Sequence, residues 1–195
     1  MKRIVLLSCL LGLVAGCEPQ AAPQQATSPP VSPSPAQPAQ PAALPEGAVQ
    51  GDFDGDGTLE YVWLVPPEVD STGESCVGEC VSYLTSSNPA LKRYALDQSL
   101  GGELTTFHHL GAERRDYVGI LPSWFTSCWS DYHVLTYRAG GWQYGVRPFS
   151  THCDQWEADE IPIMADSAHA GYVLIHYSEF AHDSITTKTK SVPLK

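Results

Sequence analysis

Tyr61-Val62-Trp63-Leu64-Val65 recurs as Tyr117-Val118-Gly119-Ile120-Leu121, 56 residues later, and again as Tyr172-Val173-Leu174-Ile175-His176 after 55 more. The first two copies follow an acid, Glu60 and Asp116, and precede a proline, Pro66 and Pro122. Each copy is a short apolar run rich in β-branched and aromatic side chains, which suits a strand. A fixed period of this length marks units that cannot bury an apolar face alone and must stack on their neighbours. The spacing leaves room for about three or four short strands per unit. A closed propeller uses typically 4–8 such blades. Three degenerate units therefore predict a mainly β domain, a small antiparallel β-meander or partial, propeller-like assembly that stays open.

The rest of the region 48–195 agrees with this expectation. No long stretch carries a 3.6-residue apolar period, and β-rich runs alternate with Gly, Pro, Asn and Ser punctuation. Strands are predicted at Glu60–Val65, Cys80–Thr85, Asp131–Arg138, Trp142–Val146 and Tyr172–Tyr177, with Ala139-Gly140-Gly141 as a hairpin turn. Ile185–Val192 alternates through Lys188 and Lys190, the pattern of a charged edge strand that discourages further pairing. A stretch of 148 residues suffices for one well-buried core.

What precedes the domain is of a different kind. Residues 1–17 read MKRIVLLSCLLGLVAGC: a basic start at Lys2 and Arg3, an eleven-residue apolar run from Ile4 to Val14, then small residues and a cysteine. The run is too short for a membrane-spanning helix, which needs about 20 residues. Val14-Ala15-Gly16-Cys17 resembles the lipobox of bacterial lipoproteins. That resemblance implies a signal peptide over 1–16, cleavage before Cys17, and acylation of its thiol, palmitate included, so that the membrane is a partner through the lipid anchor. Glu18, in place of the Asp that commonly retains such proteins at the inner membrane, points to the outer membrane if the envelope is Gram-negative.

Residues 17–47 form the linker. Within 19–45, 9 of 27 residues are Pro, 7 Ala, 5 Gln and 3 Ser, and none is charged. Closely spaced prolines fix φ and remove donors, so a disordered, extended Pro/Ala/Gln-rich tether is predicted. This neutral stretch explains a charged fraction of only 17%. The net charge of −11 excludes the basic footprint of a nucleic-acid binder.

The densest chemistry lies in residues 51–60, Gly-Asp-Phe-Asp-Gly-Asp-Gly-Thr-Leu-Glu. Asp52, Asp54 and Asp56 alternate, Gly57 offers a sharp turn, and Glu60 takes the ninth place. Carboxylates this close repel one another unless a cation neutralises them. Ca²⁺ takes 6–8 oxygen ligands in flexible geometry. One Ca²⁺ site is expected, with Asp52, Asp54 and Asp56, the Thr58 carbonyl, and Glu60 directly or through water. The loop is not an EF-hand, because its twelfth position is Trp63 rather than a bidentate Glu, and a strand-like run follows. Asp52, Asp54, Asp56, Gly57 and Glu60 resemble the calcium loop of FG-GAP/VCBS repeats of integrin-like propellers. The resemblance implies an adhesive or binding role in which calcium stiffens a blade. The second unit keeps only Asp116 of this set, with His108, Leu110, Ala112 and Glu113 at the other places, and the third aligns Gly171 with the last acid.

After processing, Cys76, Cys80, Cys128 and Cys153 remain, an even number that reads as disulfides in an exported domain. Of three connectivities, Cys76–Cys80 with Cys128–Cys153 is favoured, the second bracketing the Asp131–Val146 hairpin. A zinc site lacks the paired spacing it needs, and a Cys128 nucleophile with His133 or His152 is disfavoured in an oxidising compartment. Trp124, Phe125, Trp129 and Tyr132 cluster around Cys128, either as packing or as a platform for sugar or peptide. His108, His109 and Glu113 read as exposed loop residues, and Asp154, Glu157, Asp159 and Glu160 as a solvated acidic loop. No catalytic constellation is evident. The expectation is a binding or structural role at the cell envelope, with a protein or glycan ligand. The alternatives are an envelope-polymer hydrolase and a glycan-binding module built on the Trp124–Tyr132 aromatics.

Overall fold

The computed structural model describes residues 43–157 and 161–195. The leader, Cys17 and the linker as far as residue 42 lie outside the described residues, as do Asp159 and Glu160 of the acidic stretch.

Each repeated pentapeptide becomes the second strand of its own sheet. The first sheet is a meander of β1 (Val49–Gly51), β2 (Glu60–Val65), β3 (Val81–Ser86) and β4 (Tyr94–Asp97). The second runs β5 (Gly102–Phe107), β6 (Tyr117–Pro122), β7 (Trp129–Arg138) and β8 (Gly141–His152). After a helical turn α1 (Cys153–Glu157), the third contains β9 (Ile163–Ala165), β10 (Tyr172–Ala181) and β11 (Ser184–Pro193), with β10 central. All pairings are antiparallel. The domain is mainly β, three successive meanders whose repeat in sequence is one sheet in space.

The core explains why the units need one another. One apolar cluster joins Phe53, Val62, Leu84 and Leu96 of the first sheet region to Val118, Ile120 and Leu135 of the second. Another joins Tyr117, Tyr132, Val134, Val146 and Phe149 of the second to Ile163, Val173 and Ile175 of the third. Side chains alternate along a strand. In β6, accordingly, Val118 and Ile120 face one cluster, while Tyr117 and Leu121 face the other. The middle sheet is thus buried on both faces. Gly119 stands where the other copies have Trp63 and Leu174, because a Cβ there would meet the Tyr132 hydroxyl and lie 2.6 Å from the Phe107 ring.

The strand expectations hold at their centres and shift at their ends. β2 has the expected bounds, and β7, β8, β10 and β11 extend beyond theirs. Pro148 conceals the second half of β8 in the sequence. It is tolerated because β8 is an edge strand and the pairing with β7 slips between Tyr132 and Val134. β4 and β5, short and without clean alternation, are strands that the pattern does not reveal. The β7–β8 turn falls at Ala139 and Gly140, both with positive φ (49° and 76°). β11 occupies the edge of its sheet, with Lys188 paired to Glu179 across to β10.

The cysteines pair as Cys76–Cys80 and Cys128–Cys153, with Cα separations of 5.4 and 4.9 Å. The second bond ties the start of β7 to the end of β8, where Cys153 N–H also donates to the Cys128 carbonyl (3.0 Å).

Candidate metal centre

The loop joining β1 to β2 wraps its main chain around its own carboxylates. Asp52 accepts from the N–H groups of Gly55 (2.8 Å) and Gly57 (3.0 Å), one on each oxygen. Asp54 accepts from Asp56 N–H (3.1 Å), and Asp56 from Thr58 N–H (2.7 Å). Gly55 and Gly57 both have positive φ, 77° and 90°, which lets the chain fold back this tightly. At the loop's end, Glu60 begins β2 and is buried, 2% exposed. It accepts from Phe53 N–H (3.2 Å) and at longer range from the Asn88 amide (3.4 Å). Burial pushes its carboxyl up to about 7, and the nearby Asp54 and Asp56 charges push the same way against the Phe53 and Asn88 hydrogen bonds.

One oxygen from each of Asp52, Asp54 and Glu60 lies within 4.8 Å of the others. Asp56 is outside this convergence, and the Thr58 carbonyl keeps only the place that the loop spacing assigns to it. The donor set fits a hard cation. It is all oxygen, from three carboxyl groups, and Glu60 has no ion pair among the described residues. Asp52, Asp54 and Glu60 would hold such an ion, with Asp56 completing the shell only after a shift of its side chain.

The loop is also fastened to the second sheet, which its local pattern does not announce. Asp52 N–H donates to the Asp116 carboxylate (2.8 Å), and Asp116 N–H returns a bond to the Asp52 carbonyl (2.7 Å). Buried Thr136 donates its hydroxyl between the carbonyls of Phe53 (3.3 Å) and Asp116 (3.2 Å). Asp116, the acid retained in the second unit, therefore clamps the first loop, and His108 Nδ1 lies 3.0 Å from it. Glu113 pairs with Arg115 (2.8 Å) and Arg138 (3.2 Å) while lining the same cleft as His108 and His109.

In the third unit the equivalent loop is shorter, and Asp166 holds the place directly after the first strand that Asp52 holds in the first unit. Sequence spacing alone aligns Gly171 with the last acid and misses Asp166. Its carboxylate accepts from Ser191 Oγ (2.6 Å) and Ala168 N–H (2.9 Å) and lies 3.0 Å from His169 Nδ1. The Ser191 hydroxyl first, then His169, hold its carboxyl down to about 2.

The aromatic cluster divides. Tyr132 is buried between the second and third sheets against Phe149, whereas Trp124 and Trp129 remain 40% and 37% exposed. Trp124 meets Phe125 edge-on at 5.2 Å, and Trp129 meets His152 at 4.8 Å. Cys128 is bonded to Cys153, which removes it as a nucleophile. Asp154 sits in α1, 3.5 Å from His152, rather than in a free loop.

No known protein family matches the chain, and neither characterised proteins nor solved structures gave a match.

Proposed function

We propose that this chain is a lipid-anchored protein of the cell envelope whose β-domain binds one Ca²⁺ and serves a binding or structural role there. Cys17 would carry the acyl chains, and residues 17–47 would hold the domain away from the membrane, the outer one in a Gram-negative cell. The observation that carries the reading is the convergence of Asp52, Asp54 and Glu60 with Glu60 buried. A bound divalent cation supplies the opposite charge that these carboxylates lack. Because Asp52 is clamped to Asp116, an ion on the loop would stiffen the junction of the first two sheets and not the loop alone.

Titration calorimetry with Ca²⁺ should give heat for the wild type and little for Asp54→Ala. At a hundredfold excess over Kd, binding to the folded state alone raises stability by about 2.7 kcal/mol. No heat, together with a melting temperature that ignores chelator, would sink the calcium assignment. For the anchor, labelled palmitate should enter the wild type and not Cys17→Ser, and incorporation that survives the substitution overturns it.

A further inference from the structure

A second site lies where the first and second sheets meet. A groove of about 450 Å³ is lined on one side by Asp97 and Gln98, at the end of β4, and on the other by Trp124, Trp129, Asp131 and His133. The volume is within the range of small-ligand sites, about 300–1,000 Å³. Two indoles beside it keep 40% and 37% of their surface exposed, apolar area that a ligand can cover. The carboxylates of Asp97 and Asp131 are exposed and make no hydrogen bond or ion pair with another described residue, and the Asp131 charge acts on the neighbouring His133 imidazole. Gln98 holds a left-handed φ of 51°, a conformation that costs a side-chain-bearing residue roughly 1–2 kcal/mol and that persists where surrounding structure imposes it.

The walls are fixed in advance. Leu100 N–H donates to the Ser123 carbonyl (3.0 Å), and Ser123 N–H to the Gly101 carbonyl (3.1 Å), locking the turn after Gln98 against the chain leading to Trp124. Beneath it, the buried hydroxyls of Ser82 and Ser99 bond each other (3.0 Å) and the Gly101 main chain. On the other side, the Cys128–Cys153 bond pins the residue before Trp129. A ligand would therefore pay little to order this surface.

We propose that this groove binds a neutral saccharide. A sugar ring presents an apolar C–H face, which an indole can cover. It also presents hydroxyl donors, for which acceptor-only carboxylates and a side-chain amide are the matching partners. Two unpaired carboxylates on a chain of net charge −11 repel uronate and sulfated sugars. The chain's own Pro-rich segment is the competing occupant, because its prolines can stack on indoles and its Gln side chains can donate to the carboxylates, so the test includes it.

The test titrates the full-length protein in detergent with the β-linked tetrasaccharides of glucose and of N-acetylglucosamine, with oligogalacturonate, and with a peptide of residues 19–42. Tryptophan emission and calorimetric heat report binding. A neutral tetrasaccharide should bind and shift the emission. Trp124→Ala, on an exposed loop, should weaken that binding about tenfold with the melting temperature unchanged. Asp131→Asn, of equal size, should weaken it too. The proposal is overturned if neither neutral tetrasaccharide binds, if both variants bind as the wild type does, if oligogalacturonate binds equally well, or if only the peptide binds.

Discussion

Glu60 concentrates the residue-scale physics. Its folded carboxyl titrates near 7 because burial disfavours the anion, against an ordinary value of 4.5. Between those values the folded protein holds a proton that the unfolded chain has released. In chelator, the contribution of Glu60 to stability is therefore complete below 4.5 and is lost as pH rises through about 7. Denaturant unfolding across this window should show the decline for the wild type and a flatter profile for Glu60→Gln. Added Ca²⁺ should flatten the wild-type profile as well, since a cation favours the ionised carboxylate. A wild-type profile indifferent to pH in chelator would mean that Glu60 reaches water or a countercharge in solution. The same residue shows how burial makes a common side chain a candidate ligand: an exposed glutamate needs no cation.

At the scale of elements, β6 and the β7–β8 turn are the informative pieces. Gly119 is enclosed by Tyr132 and Phe107, so Gly119→Ala should destabilise by about 1–3 kcal/mol through overpacking, read as a lowered denaturation midpoint at constant m. The corresponding strands β2 and β10 carry Trp63 and Leu174 without such a constraint, because among the described residues only the middle sheet is covered on both faces. The turn at Ala139 presents the opposite case. A φ of 49° suits glycine or asparagine better than alanine, and nothing else in the hairpin asks for a methyl group there. Ala139→Gly should raise stability, because relief of about 1–2 kcal/mol of left-handed strain exceeds the roughly 0.4–1 kcal/mol of chain entropy that glycine returns to the unfolded state, and a loss of stability would show that the flanking strands, not the turn, set this geometry.

For the whole molecule, long-range ties decide how firmly the three sheets stand. The Cys128–Cys153 bond closes a separation of 25 residues, and Cys76–Cys80 one of 4. By chain entropy, loss of the first should cost about 3.5 kcal/mol and loss of the second about 2. Paired Cys→Ser variants compared by thermal melting check that order. Because the first bond also borders Trp129, its removal should loosen the groove between Asp97 and Trp129, while removal of the second leaves that groove as it is. The clamp between Asp52 and Asp116 works at the same scale, making the candidate metal loop part of the junction between sheets.

The periodic Tyr-Val strands, the even number of cysteines and the Asp-rich loop were all readable in the chain, because alternation, cysteine number and carboxylate spacing are local properties, whereas the choice among three cysteine pairings was not. They sufficed for three antiparallel β units and for Asp52, Asp54 and Glu60 as candidate ligands. The tertiary structure alone decided that Asp56 stays outside the convergence, that Asp116 serves the first loop and not its own, and that Asp166 stands in the third loop. It also brought Asp97 and Gln98 to Trp124 and Trp129, and buried Tyr132 apart from them. Each of those outcomes joins residues far apart along the chain, where no local pattern records who will be the neighbour. Packing chooses among such pairings, and it does so by burying whole faces of sheets at once.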